Sequence, residues 1–247
     1  MANIHSMITF GLVNIPVSVG TLIKNNDISF FQVHKKCLER IKYQKYCPHC
    51  KKVLKESEIE KGYINDEDEM VVFDQKELTN LKPENEGEIE IVSFFNSNEI
   101  DPKYYQKTYV IVPEKKGKAY FLLRDAMQKM KCVALCKTVL YNKFTYAILR
   151  ISEDIFLLTT IYFAEEVNDI STYKSPKISA KELELATSLI KKMTAHFEPQ
   201  KYKDEYHEKV LKAIELKSKG KKVPKSKKKS SKEIASIMKA LEKSLKE

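Results

Sequence analysis

Four residues whose types and spacing could hold a metal lie close together: His34, Cys37, Cys47 and Cys50, in the pattern His-x-x-Cys-x9-Cys-x-x-Cys. Two thiolates at Cys-x-x-Cys spacing can bind one zinc from a tight turn, and a His-x-x-Cys pair could complete the tetrahedron. Pro48 suits such a turn, and His49 offers a substitute ligand. Four such donors within seventeen residues point to one structural Zn2+. Two features oppose it: Lys51 stands where a zinc knuckle often carries glycine, and the nine-residue spacing is short for a ribbon. A redox-active pair, or cysteines with no metal role, are the other readings. Cys132 and Cys136 lie in an apolar stretch and read as small buried hydrophobes.

Other chemistry finds little support. Glycines occur only at 11, 20, 62, 87, 117 and 220, too sparse for a phosphate or dinucleotide loop. His207-Glu208 lacks a second histidine four positions on, and no Gly-x-Ser-x-Gly elbow is present. The carboxylates cluster in a solvent-like stretch away from apolar strand ends, so nothing local argues for an enzyme.

Charge is the stronger signal. The chain of 247 residues carries a net +10, yet residues 217–247 alone hold twelve Lys against three Glu. The remainder is close to neutral but segregated. Residues 35–56 are basic by six, 57–102 acidic by eleven, and 103–150 basic by nine. Such blocks suit a polyanion contacted by some elements and avoided by others, although solvated faces that happen to alternate would look the same. The basic side chains expected at a DNA phosphate interface are Lys35, Lys36, Arg40, Lys42, Lys45, Lys115, Lys116 and Arg124.

The elements that must position these groups are mostly strands. Residues 8–19 are β-branched and aromatic and read as an opening strand broken near Pro16, not as a signal peptide. Further strands are expected over 70–73, 88–95, 108–112, 133–141, 144–151 and 155–163, the last two joined by Ser152-Glu153-Asp154 as a hairpin. Three helices stand out. Ala119, Leu122, Leu123, Ala126, Met127 and Met130 fall at helical spacing, Ser179 and Glu182 form a capping box ahead of Leu185 and Leu189, and Tyr206, Val210, Leu211 and Ile214 mark a helix ending near Gly220. Each apolar stripe reads as core. No run of eighteen apolar residues offers a membrane span.

From Lys217 to Lys232 the composition is Lys- and Ser-rich and should be a disordered linker. Ser230 and Glu233 then form another capping box before an apolar stripe of Ile234, Ile237, Met238, Leu241 and Leu245. A short amphipathic helix on a flexible tether has little to fold against, so docking onto a partner is favoured over packing on its own domain.

At this point the residues resemble a family. Residues 8–17 (Ile-Thr-Phe-Gly-Leu-Val-Asn-Ile-Pro-Val), Asp27-Ile28-Ser29-Phe30, His34 to Cys37 with Arg40 to Tyr43, and Lys61-Gly62-Tyr63 look like the start of a bacterial Ku protein. Glu99 to Pro102 with Tyr104-Tyr105, Ala119 to Arg124, Ala147 to Arg150, and Phe197-Glu198-Pro199 with Lys201-Tyr202 and Tyr206 continue the resemblance in order. It implies an α+β, mainly β architecture. This is a Ku-type β-barrel core with a ring-forming arm and peripheral helices over 1–216, a basic linker over 217–232 and a docking helix over 233–247. It also implies a homodimeric ring, not an enzyme, that threads onto double-stranded DNA ends in non-homologous end joining. Such a ring recruits a bacterial ATP-dependent DNA ligase, here through the Ile234 to Leu245 stripe, and works in the cytoplasm at the nucleoid. Two departures stand out: no Trp occurs where the family has one near its start, and only Arg40, Arg124 and Arg150 are arginine. Few arginines weaken bidentate readout, which a sequence-independent binder does not need. The alternative reading is a zinc-containing nucleic-acid module of transcription or translation.

Overall fold

Alternation of apolar and polar side chains over residues 4–21 builds two strands where the sequence suggested one. In a computed structural model, which describes residues 4–81, 87–114, 117–170 and 173–224, β1 (Ile4–Phe10) and β2 (Val13–Thr21) pair antiparallel from Ile4↔Val19 to Phe10↔Val13. The break falls at Gly11-Leu12, where Gly11 takes a left-handed φ of 57° that a two-residue turn favours. Pro16 stays inside β2. Its carbonyl accepts the Glu114 N–H at 3.3 Å, so its N edge faces the strand Tyr105–Pro113 just before that pairing begins at Val17↔Pro113. The missing N–H therefore costs no bond to β1, and the expected break at Pro16 does not occur.

The chain divides into two compact units, Met1–Asn25 with Phe31–Asp169, and Asn26–Phe30 with Ile170–Glu247. The first holds the barrel. Its further strands are β7 (Glu88–Asn96), β8 (Tyr105–Pro113), β9 (Cys132–Leu140), β10 (Lys143–Ser152) and β11 (Ile155–Ile161). They close in the order β1-β2-β8-β11-β10-β9-β7. Neighbours run antiparallel except where β7 meets β1 in parallel over Met7↔Glu88 to Thr9↔Glu90. Gly87 enters this seam with φ 91°, its carbonyl taking the Met7 N–H and its N–H reaching Val139 O. A Cβ there would sit 3.1 Å from His5 O, so glycine is required twice over.

The barrel interior is filled by alternate residues, as period-two strands dictate. Ile8, Ile15, Val17, Val19, Ile89, Ile111, Cys136, Leu149, Phe156 and Leu158 are buried there. One end is stoppered by α2 (Lys118–Met130), which turns Tyr120, Leu123 and Met127 into the core. Tyr120 is 1% exposed; its hydroxyl donates to Ile111 O at 2.8 Å and accepts the Phe156 N–H at 3.1 Å. At the other end Tyr109 and Tyr141 stand with ring centroids 6.2 Å apart, and Lys107 lies over both.

Between β2 and β7 the chain makes an excursion with little shelter. Its hairpins are β3 (Tyr46–Cys47) with β4 (Lys52–Val53) and β5 (Lys61–Ile64) with β6 (Met70–Phe73), followed by the short α1 (Gln75–Asn80). No residue from 31 to 81 is buried. Order here comes from local hydrogen bonds, such as the Asp74 cap that accepts Lys76 and Glu77 N–H groups while Glu77 reaches back to Asp74 N.

The second unit contains α3 (Ala180–Met193) and α4 (Glu205–Ser218). Ser179 and Glu182 form the expected capping box, and Asp204 caps α4 through His207 N at 2.9 Å. Neither helix buries a residue, so their stripes do not serve as core here, unlike that of α2. The expected boundary at Lys217 falls inside α4, which runs on to Ser218. The remaining linker residues from 225 and the helix of Ile234, Ile237, Met238, Leu241 and Leu245 lie outside the described residues. Among the described residues no helix is long and apolar enough to cross a membrane.

Candidate nucleic-acid interface

The first basic block, residues 35–56, sits in the unsheltered excursion, so its cations face solvent by default. Lys35 and Lys36 occupy the turn that Val33 and Arg40 close by a single β-bridge, and both are exposed, as is Lys42. Arg40 places its guanidinium 5.0 Å from the Phe31 ring centroid, a cation–π contact that orients the group without neutralising it. Lys45 is engaged by Glu56, with Nζ 2.7 and 2.6 Å from the two carboxylate oxygens, yet both partners remain solvent-accessible. Such a pair is weakly held and can exchange for phosphate at little cost. Lys52 is similarly paired with Glu58, whose carboxyl is held below its ordinary value first by that ammonium and then by the Lys55 N–H.

The second block, 103–150, is distributed around the barrel and does not form one patch by sequence alone. Arg124 is the one of its predicted contacts that the described residues include, and it is committed inward. Its side chain is only 21% exposed; it pairs with Asp125 at 2.8 Å, donates to Asp154 O at 3.2 Å and stacks 5.1 Å from the Phe121 centroid. It ties α2 to the β10–β11 turn. Lys115 and Lys116 lie outside the described residues. Sequence reading did not single out Lys107 and Lys143, two further cations of this block, which line one cleft with Gln106, Tyr109, Tyr141 and Thr145 at the barrel mouth opposite α2. The signal was present in part: Lys107 shares parity with Tyr109 and Ile111, so it points along the inner face of β8 at its open end.

The cysteine and histidine donors fall into two pairs. His34 Nδ1 lies 3.0 Å from Cys37 Sγ. Cys50 N donates to Cys47 Sγ at 3.4 Å, and His49 Nδ1 is 4.0 Å from Cys50 Sγ. The Cys50 N–H is the main cause holding the Cys47 thiol below its ordinary value, while the hydrogen bond to Cys47 pushes the Cys50 thiol up. Among the described residues no three His, Cys, Asp or Glu side chains are gathered where they could hold a metal. Cys136 is buried, as expected, and burial pushes its thiol up to about 12; Cys132 is half-buried.

The sequence that builds this closed barrel has known counterparts. Residues 9–185 match the family model of the Ku70/Ku80 beta-barrel domain. A non-homologous end joining protein Ku of Lachnoclostridium phytofermentans is 39% identical over 247 residues, covering 99% of this chain and 96% of its own. The protein of the same description from Bacillus subtilis is 35% identical, covering 86% of this chain and 71% of its own. That from Mycolicibacterium smegmatis is 33% identical over 86% of this chain and 70% of its own. The family-model match over residues 9–185 and these likenesses extending through most of the chain lead to one conclusion: the chain belongs to the Ku family.

Proposed function

We propose that this protein is a DNA-end-binding scaffold of non-homologous end joining, acting as a homodimeric ring and not as an enzyme. The observation that carries the reading is the family match over the barrel, together with relatives described as end-joining Ku proteins over most of the chain. A ring that loads on any broken end cannot depend on base sequence. Its affinity then comes from Lys and Arg at phosphates, through counterion release, and its end preference from topology. Lys35, Lys36, Arg40 and Lys42 are the exposed cations best suited to this task, with Lys45 available by exchange from Glu56. Lys115 and Lys116 enter on charge alone, and Arg124 is assigned to holding α2.

The Lys-rich tail serves as a salt-sensitive tether, and the Ile234 to Leu245 stripe as the docking helix for a bacterial ATP-dependent DNA ligase. Such a protein works in the cytoplasm at the nucleoid. Size-exclusion chromatography with light scattering, run with and without a short blunt duplex, tests the assembly. A dimer taking up one short duplex is expected; a monomer that binds the duplex unchanged would contradict the ring.

A further inference from the structure

The barrel mouth opposite α2 opens on a cleft of about 340 Å³ whose cations have no counter-charge. No carboxylate lines it, and among the described residues neither Lys107 nor Lys143 is in an ion pair. Lys107 Nζ instead lies 5.2 and 5.7 Å from the ring centroids of Tyr109 and Tyr141. Such contacts orient an ammonium and leave its charge in place.

Two irregularities of the backbone build this cleft. The first is a bulge in β8. Between Thr108↔Thr159 and Tyr105↔Ile161 the register shifts, so Gln106 and Lys107 together oppose Thr160 alone. The buried Thr160 hydroxyl accepts the Lys107 N–H at 3.2 Å and lies 3.2 Å from Gln106 Oε1. Strict alternation would send Gln106 and Lys107 to opposite faces, yet both line the cleft. The second irregularity is the β9–β10 turn. Leu140 pairs with Lys143, and Tyr141 and Asn142 between them are both left-handed, at φ 54° and 62°. A turn of this kind favours Asn and Gly, and a bulky residue there is uncommon and strained. Tyr141 takes that strained position without the reward of burial: it is 55% exposed, whereas Tyr109 is 4% exposed.

We propose that this cleft binds an unpaired nucleotide of a DNA end, with the base stacked on Tyr141 and the phosphate held by Lys107 and Lys143. Uncompensated ammonium groups suit phosphate oxygens, and an exposed aromatic face suits any base without reading its sequence. Duplex DNA offers phosphates but keeps its bases paired and stacked, so lysines alone would serve it. An aromatic face beside them gains only from a base outside the duplex, as in an overhang. The inference rests on the end-binding reading above and adds to it a preference for ends with unpaired nucleotides.

The test uses the full chain with a short blunt duplex, the same duplex bearing a short overhang on either strand, and an oligothymidylate. The overhang and the oligothymidylate each carry 5-iododeoxyuridine, and irradiation should attach both to Tyr141, read by peptide mass spectrometry. The overhang should tighten binding over the blunt duplex by about fivefold or more, the contribution of one stacked base. Tyr141→Asn suits the left-handed turn; it should abolish the attachment and the gain, with circular dichroism and blunt-duplex binding as in the unaltered chain. Tyr141→Phe should keep the gain. Lys107→Gln and Lys143→Gln should each lower the salt slope for the oligothymidylate by about 0.7. No gain from the overhang, attachment away from the cleft, or a gain that survives Tyr141→Asn would overturn the proposal. So would competition by thymidine monophosphate as strong as by the oligothymidylate, which would assign the cleft to a free nucleotide. Failure of the unaltered chain to bind any duplex would count against the end-binding reading instead, and attachment of the oligothymidylate would still decide the cleft.

Discussion

Tyr120 shows how one hydroxyl can hold two strands and a helix together. It bridges Ile111 O and Phe156 N, which lie opposite each other on β8 and β11. Burial pushes its pKa above the ordinary tyrosine value, so the group remains a neutral donor throughout the physiological range. Tyr120→Phe keeps the ring packing against Phe156 but strands a buried N–H. It should lower stability by about 1–3 kcal/mol in urea denaturation. An unchanged midpoint would show that the bridge carries no net stability. Cys136 makes a complementary prediction. With its thiol pushed up to about 12 by burial, it should resist a thiol reagent at neutral pH until the barrel unfolds. Cys37, which is exposed, and Cys47, whose thiol the Cys50 N–H holds below its ordinary value, should react first; early modification of Cys136 would mean that the barrel opens locally.

The elements differ in how far the sequence specified them. Strands β7 to β11 were readable because each is an apolar run bounded by turn residues, and the hairpin at Ser152-Glu153-Asp154 has Glu153 and Asp154 in left-handed conformations. The β1–β2 hairpin was not readable as two strands, since a lone Gly11 is a weaker turn signal than a Pro, and Pro16 drew the break to itself. The parallel seam between β1 and β7 was invisible, because strands so far apart in sequence leave no local pattern of their pairing. Of the expected interface, charge picks out the basic block at 35–56, but composition does not distinguish an exposed Lys42 from an Arg124 held at a helix–turn junction. That distinction is measurable. Charge reversal at Lys35, Lys36 or Lys42 should weaken DNA binding for all sequences alike and reduce the salt slope by about one per contact. Arg124→Ala should leave DNA binding intact but lower the thermal midpoint, as a lost packing and hydrogen-bond anchor. The reverse pattern would relocate the interface to the barrel side that Arg124 borders.

At the scale of the whole molecule, the proposed function separates tasks along the length of the chain: the barrel would supply rigidity, the excursion cations, and the Lys-rich end reach. Net charge is nearly confined to that end, yet a tether that is merely sticky cannot prefer broken DNA over intact DNA. Deleting residues 233–247 should therefore spare end binding while abolishing stimulation of the cognate ligase; undiminished stimulation would place the docking surface elsewhere. The central claim, that topology and not base reading directs this protein to breaks, is tested most directly by competing linear duplex against covalently closed circles of the same sequence. Binding to the linear form and loss of that preference when both ends are blocked by bulky adducts is the predicted result. Equal affinity for the closed circle would contradict a threading ring.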